Sequence, residues 1–202
     1  MSQTYDLIQE GTINNNTTAN VELQSGSNNW TQWDGGMELH IAGQTYGTSV
    51  GYAAMYIWFN ENYTPAFPGA SYNSTGYATI AGSSLSIYGG PNRHDHVAYN
   101  IGQNSGYGTA SSQQTHTWIR MWDVVGSSGS TDQDRYMNMV AIANLQSGWT
   151  GSAMSTSVNM HHIQMQQYDY DLRGVHNIRF GYPSSYKFAS GSNYQLYGIK
   201  YS

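Results

Sequence analysis

The chain has 202 residues, enough for one β-sandwich with a real core, and only 9% of them are charged against roughly 25% in ordinary globular proteins. Its net charge of −5 and seven dispersed Lys and Arg argue against nucleic acid, where clustered cations release counterions, and against an anionic membrane surface. Cysteine is absent, which excludes disulfides and thiolate metal sites, while 14% aromatic residues, including 18 Tyr and 6 Trp, argue against disorder.

The first residues, Met1-Ser2-Gln3-Thr4-Tyr5-Asp6, carry neither a basic stretch nor an apolar run, so synthesis without a secretion signal, in the cytoplasm, is expected. Residues 1–17 read as an N-terminal extension or arm of the domain. From there the pattern is short period-2 runs bounded by Gly, Asn and Ser, the signature of strands. Residues 19–23 alternate apolar and polar side chains. Met37, Leu39 and Ile41 share one face, with Glu38 and His40 on the other. Met55, Ile57 and Phe59 share a face, and Tyr56 and Trp58 make the reverse face apolar too.

Further strands are predicted at 78–80, 85–88, 97–101, 117–125, 136–143, 160–166, 175–180 and 194–200. Residues 136–145 also fit a helix face through Tyr136, Met139, Val140 and Ala143, though the pattern favours a strand. Polar loops are predicted at 25–29, 60–74, 102–114, 126–134 and 146–157. None resembles an interdomain linker. Many short strands with Gly-rich turns predict one all-β domain over residues 1–202, a β-sandwich of two antiparallel sheets with few or no helices.

The segment Phe188-Ala189-Ser190-Gly191-Ser192-Asn193-Tyr194-Gln195-Leu196-Tyr197-Gly198-Ile199-Lys200 resembles the closing strand of jelly-roll modules in phage tail fibres and other virion proteins. Gly174-Val175-His176-Asn177-Ile178-Arg179-Phe180 looks like the penultimate strand of the same modules. The resemblance implies a jelly roll and a bacteriophage virion context. On the residues alone, Gly191 can supply a positive φ at the turn, and Gly198 inside a strand marks a bulge or a close approach. The C-terminus is expected to be locked within a sheet.

Candidate chemistry is thin. Gly47-Thr48-Ser49-Val50-Gly51 matches a nucleophile elbow, but that motif needs a following helix and a strand is predicted instead. Glu10, Glu22, Glu38 and Glu61 stand alone, whereas a glycan hydrolase needs two carboxylates about 5–9 Å apart. Asp132 with Asp134, and Asp169 with Asp171, alternate beside loops and fit solvated or calcium-binding roles equally. His94 and His96 would share one side of an extended segment and are the metal candidates, while adjacent His161 and His162 point to opposite faces of a strand. Neither catalysis nor a cofactor is expected.

Trp30, Trp33, Tyr63, Tyr72, Tyr107 and Trp149 lie on or beside predicted loops and are the candidate contacts for a glycan or a protein partner. The expectation is therefore a virion surface protein that acts by binding and assembly, as a capsid decoration or tail-associated accessory. With the domain starting almost at once, a small accessory is expected rather than a complete tail fibre with its shaft. Expected partners are other virion proteins and further copies of the chain, as a homotrimer, with a host surface glycan as the alternative.

Overall fold

A computed structural model of the protein describes residues 2–24, 30–43, 45–46, 54–59, 72–81, 84–88, 96–99, 115–122, 135–150, 153–167, 177–182 and 187–202. Among these, the strands in chain order are β1 (Gln3–Thr12), β2 (Asn20–Gln24), β3 (Gly36–Gly43), β4 (Thr45–Tyr46), β5 (Ala54–Phe59), β6 (Tyr72–Ala81), β7 (Ser84–Tyr88), β8 (His96–Tyr99), β9 (Thr115–Trp122), β10 (Arg135–Thr150), β11 (Ala153–Gln167), β12 (Asn177–Gly181), β13 (Lys187–Phe188) and β14 (Asn193–Tyr201). A single 3₁₀ turn at Trp30–Gln32 is the helical element among the described residues.

The strands form an eight-stranded sheet, β1-β14-β3-β9-β10-β11-β6-β7, a four-stranded sheet, β2-β12-β5-β8, and a two-stranded pair, β13-β4. Every pairing is antiparallel. If β1, β2, β3, β5, β8, β9, β12 and β14 are taken as eight framework strands, one sheet begins first-eighth-third-sixth. The other reads second-seventh-fourth-fifth. That is the jelly-roll order, two Greek keys folded over one another. Two hairpins depart from the frame: β6-β7, inserted between β5 and β8, and β10-β11, inserted between β9 and β12. Both add to the larger sheet and extend it to eight strands.

The core follows from the pleat. Met37, Leu39 and Ile41 of β3 are buried, and facing them across the sandwich lie Val21 and Leu23 of β2, Met55 and Ile57 of β5, and Ile178 and Phe180 of β12. Ile119 and Met121 of β9, Met139 and Ala141 of β10, and Leu196 of β14 complete one continuous cluster. The rings of Phe180, Phe188, Tyr182 and Tyr194 meet at edge-on or tilted angles with centroids 5.0–5.9 Å apart. Such contacts add packing specificity to burial.

The C-terminal strand is held from both sides. β14 pairs with β1 from Gln3↔Tyr201 to Thr12↔Asn193 and with β3 from Asn193↔Ala42 to Ile199↔Gly36. Gly191 takes a φ of +92° in the turn that leads into it, as its position suggested. At Gly198 the close approach comes from a side chain. An added Cβ there would lie 2.1 Å from the Trp33 ring, so the indole lies directly against the bare backbone.

Several sequence expectations change. Residues 3–12, within the segment read as an extension or arm, form β1, a ten-residue edge strand with a bulge between Leu7 and Gln9. The predicted loop at 146–157 is largely ladder, with Gln146↔Thr156, Ser147↔Ser155 and Thr150↔Ala153 paired. Polar Ser, Thr and Gln are no obstacle to backbone pairing once the hairpin is anchored at its apolar base. The ambiguous stretch at 136–145 is strand, since β10 is laddered by β9 on one side and β11 on the other. The predicted loops at 102–114 and 126–134 lie outside the described residues.

Candidate functional site

The outer face of the large sheet collects the polar side chains that the core rejects. The register aligns the residues of this face, polar at the centre and apolar at several of the ends, in two rows across five strands. One row runs Leu7, Tyr197, Glu38, Arg120, Val140, and the other runs Glu10, Gln195, His40, Trp118, Ile142. His116 and Trp122 stand at either end of the β9 segment on the same face, by the alternation that sends Thr117, Ile119 and Met121 inward.

Glu38 is the hub of this face. Its Oε1 accepts a hydrogen bond from Arg120 Nη1 at 3.0 Å, and its Oε2 accepts one from Trp118 Nε1 at 3.2 Å. His40 Nε2 lies 3.3 Å from the same Oε2. Arg120 also donates through Nη2 to the Gly35 carbonyl at 2.7 Å, and its guanidinium carbon sits 5.5 Å from the centroid of the Trp122 ring. The Arg120 side chain is 6% exposed and that of Glu38 12%, so this ion pair is walled off from water although it lies on a nominally solvent-facing surface. A charge pair desolvated to this degree is tolerated when its hydrogen bonds are satisfied, and here both carboxylate oxygens are engaged.

Two imidazoles flank the hub. His40 and His116 have ring centroids 5.7 Å apart, and His40 meets Tyr197 edge-on at 5.5 Å. Burial, and secondly the neighbouring His40 charge, hold the His116 imidazole below its ordinary value of 6.5. Towards the edge, Tyr197 donates to Gln195 Oε1 at 3.1 Å and Gln195 Nε2 donates to Glu10 Oε2 at 3.3 Å. Beyond these, Tyr5 (50% exposed), Leu7 (48%) and Tyr201 (43%) lie on the same face. Glu10 and Glu38 stand two strands apart and two residues out of line, about 12 Å between Cα atoms by sheet spacing. What the arrangement offers is an aromatic, hydrogen-bonding surface whose central ion pair, Glu38 with Arg120, is internally neutralised, with the carboxylate of Glu10 towards its edge.

The candidate contacts from sequence fare differently. Trp30 and Trp33 are corrected: they are 3% and 6% exposed and belong to the core cluster, so neither presents a ring to a partner. The turn they flank folds inward because Gly198 leaves a slot for the Trp33 indole, on which Lys200 Nζ sits 4.7 Å from the ring centroid. Tyr72 opens β6 and Trp149 lies near the end of β10, both in strand rather than loop. Tyr63, Tyr107 and His94 lie outside the described residues, as do Gly47-Thr48-Ser49-Val50-Gly51, Asp132, Asp134, Asp169 and Asp171. His96 opens β8, opposite Tyr56. His161 and His162 occupy successive positions of β11, opposite Ala141 and Val140.

Sequence reading placed Glu38 and His40 together but missed their partners, which are some 80 residues away on β9. The signal available was the alternation Trp118, Arg120, Trp122 within the strand predicted at 117–125, with His116 one residue before it. No protein-family model, curated protein or solved structure matches the chain.

Proposed function

We propose that this protein is a bacteriophage virion surface module that works by binding and assembly, as a capsid decoration or tail-associated accessory. The observation that carries the binding role is the outer face of the large sheet. Tyr5, Leu7 and Tyr201 are exposed there, Trp118, Trp122 and Tyr197 are half-buried, and the Glu38–Arg120 pair is internally neutralised. Tyr, Trp and Arg are the residues enriched at the centres of protein contacts, while isolated charges are depleted there. The virion context rests on the likeness of residues 188–200 to the closing strands of phage modules, and the jelly-roll strand order supports it.

Self-association through this face as a homotrimer is part of the proposal, and sedimentation equilibrium tests this. The wild type is expected to associate, and the double variant Leu7→Glu/Tyr201→Glu to remain a folded monomer with the wild-type circular dichroism spectrum. A wild type that stays monomeric over a wide concentration range, and that binds neither phage heads nor tails, would remove the proposal. A second reading, capture of a host surface glycan, is favoured by the grouping of Trp118, His40, His116 and Tyr197, rings on which a sugar can stack. It predicts that the soluble protein blocks phage adsorption and that Trp118→Ala abolishes the block.

A further inference from the structure

The two imidazoles beside Glu38 carry an inference that is independent of the virion reading. His40 on β3 and His116 on β9 are diagonal neighbours, because the register sets His40 opposite Trp118 and Ala42 opposite His116. Their ring centroids are 5.7 Å apart with the planes tilted by 36°. A first-row metal binds imidazole nitrogen at about 2.0–2.1 Å, which places each ring centroid about 3.2 Å from the ion. Two imidazoles on one ion at angles between about 109° and 125° therefore have centroids about 5.2–5.7 Å apart. The observed separation falls at the upper end of that span without any movement of the strands.

The surroundings fit as well. His40 directs Nε2 at a carboxylate oxygen of Glu38, 3.3 Å away, and that carboxylate is itself fixed by Arg120 and Trp118. A carboxylate behind a histidine selects its tautomer and raises the basicity of the other ring nitrogen, the arrangement common behind metal-ligating histidines. With Nε2 bonded to Glu38, Nδ1 of His40 is the nitrogen left to bind a metal. His116 is exposed, so its ring can be reached from solvent.

We infer that His40 and His116 form a two-imidazole site for a first-row transition metal ion such as Zn²⁺, with Glu38 behind His40. The ion braces β3 against β9, and its remaining positions are filled by water or by a donor from a partner. Imidazole donors suit zinc, nickel and copper and disfavour calcium and magnesium.

The test is a calorimetric titration of the intact chain with zinc chloride, repeated on His116→Asn, His40→Asn and the double variant His94→Asn/His96→Asn. The wild type and the His94/His96 variant are expected to bind one ion per chain with equal affinity. His116→Asn and His40→Asn should each weaken that binding at least about tenfold. His116 is exposed on a strand, so its variant is expected to keep the wild-type melting curve at neutral pH, where the titration is run, which makes its loss of binding a statement about the site. No binding by the wild type, equal binding by His116→Asn, or loss confined to the His94/His96 variant would each overturn the assignment.

Discussion

At Gly198 a hydrogen atom stands where any other residue would place a methyl group inside the Trp33 indole. Gly198→Ala should therefore overpack the core and lower stability by about 1–3 kcal/mol, read as a drop in the urea midpoint. Arg120 presents a different case. Arg120→Met leaves Glu38 without its ion-pair partner in a site that is largely shielded from water, and about 3 kcal/mol should be lost. The double variant Arg120→Met/Glu38→Leu removes both charges and should recover most of that loss in a double-mutant cycle.

His116 sets an acid limit. Its folded-state proton affinity is lowered, so as pH falls through 6.5 the unfolded chain takes up the proton first while the folded chain stays neutral. The contribution of this residue to stability is complete above pH 6.5 and is lost as pH falls towards its lowered folded value. Thermal melts between pH 8 and pH 5 should show a fall in melting temperature that is smaller in His116→Gln.

Among the elements, β14 and β1 lie side by side and differ in what they contribute. β14 is flanked on both edges, and its Leu196 is fully buried. β1 is paired along one edge, with Tyr5 and Leu7 exposed. Leu196→Ala should cost about 2–5 kcal/mol, while Leu7→Ala should change stability by less than about 0.5 kcal/mol, both measured by chemical denaturation. The same contrast explains what was legible. β3 was readable because Met37, Leu39 and Ile41 alternate with Glu38 and His40, so period-2 patterning reported a half-buried strand directly. β1 was not, because an edge strand with little buried surface has no apolar stripe to report, and its backbone pairing with β14 is indifferent to side chains. The outer ends of β10 and β11 were missed for the same reason: Ser, Thr, Gln and Asn read as loop, yet they continue a ladder nucleated at Met139 and Ala141.

In the molecule as a whole, the jelly-roll frame closes one core between its two sheets and leaves the far side of the larger sheet without a covering layer among the described residues. If that face assembles copies of the chain, association should depend on Leu7 and Tyr201 while folding does not. The Leu7→Glu/Tyr201→Glu variant is built to separate the two. Little of the face was legible beforehand. Glu38 and His40 were visible as the polar side of one strand, but Trp30 and Trp33 were read as contacts when the slot at Gly198 takes in Trp33 and the core cluster takes in Trp30. A tryptophan beside a turn looks the same in sequence whether it caps the core or faces a partner.

Composition and alternation by themselves determined that this chain is an all-β sandwich, with β3, β9 and β12 among its strands and a C-terminal strand locked in place. These properties depend on near-neighbour spacing and on which side chains water rejects. The tertiary structure alone decided which strands lie beside one another. Register brings His116, Trp118 and Arg120 against Glu38 and His40 and stations Trp33 on Gly198, since pairing between segments far apart in the chain is selected by the whole core and leaves no local mark on either segment.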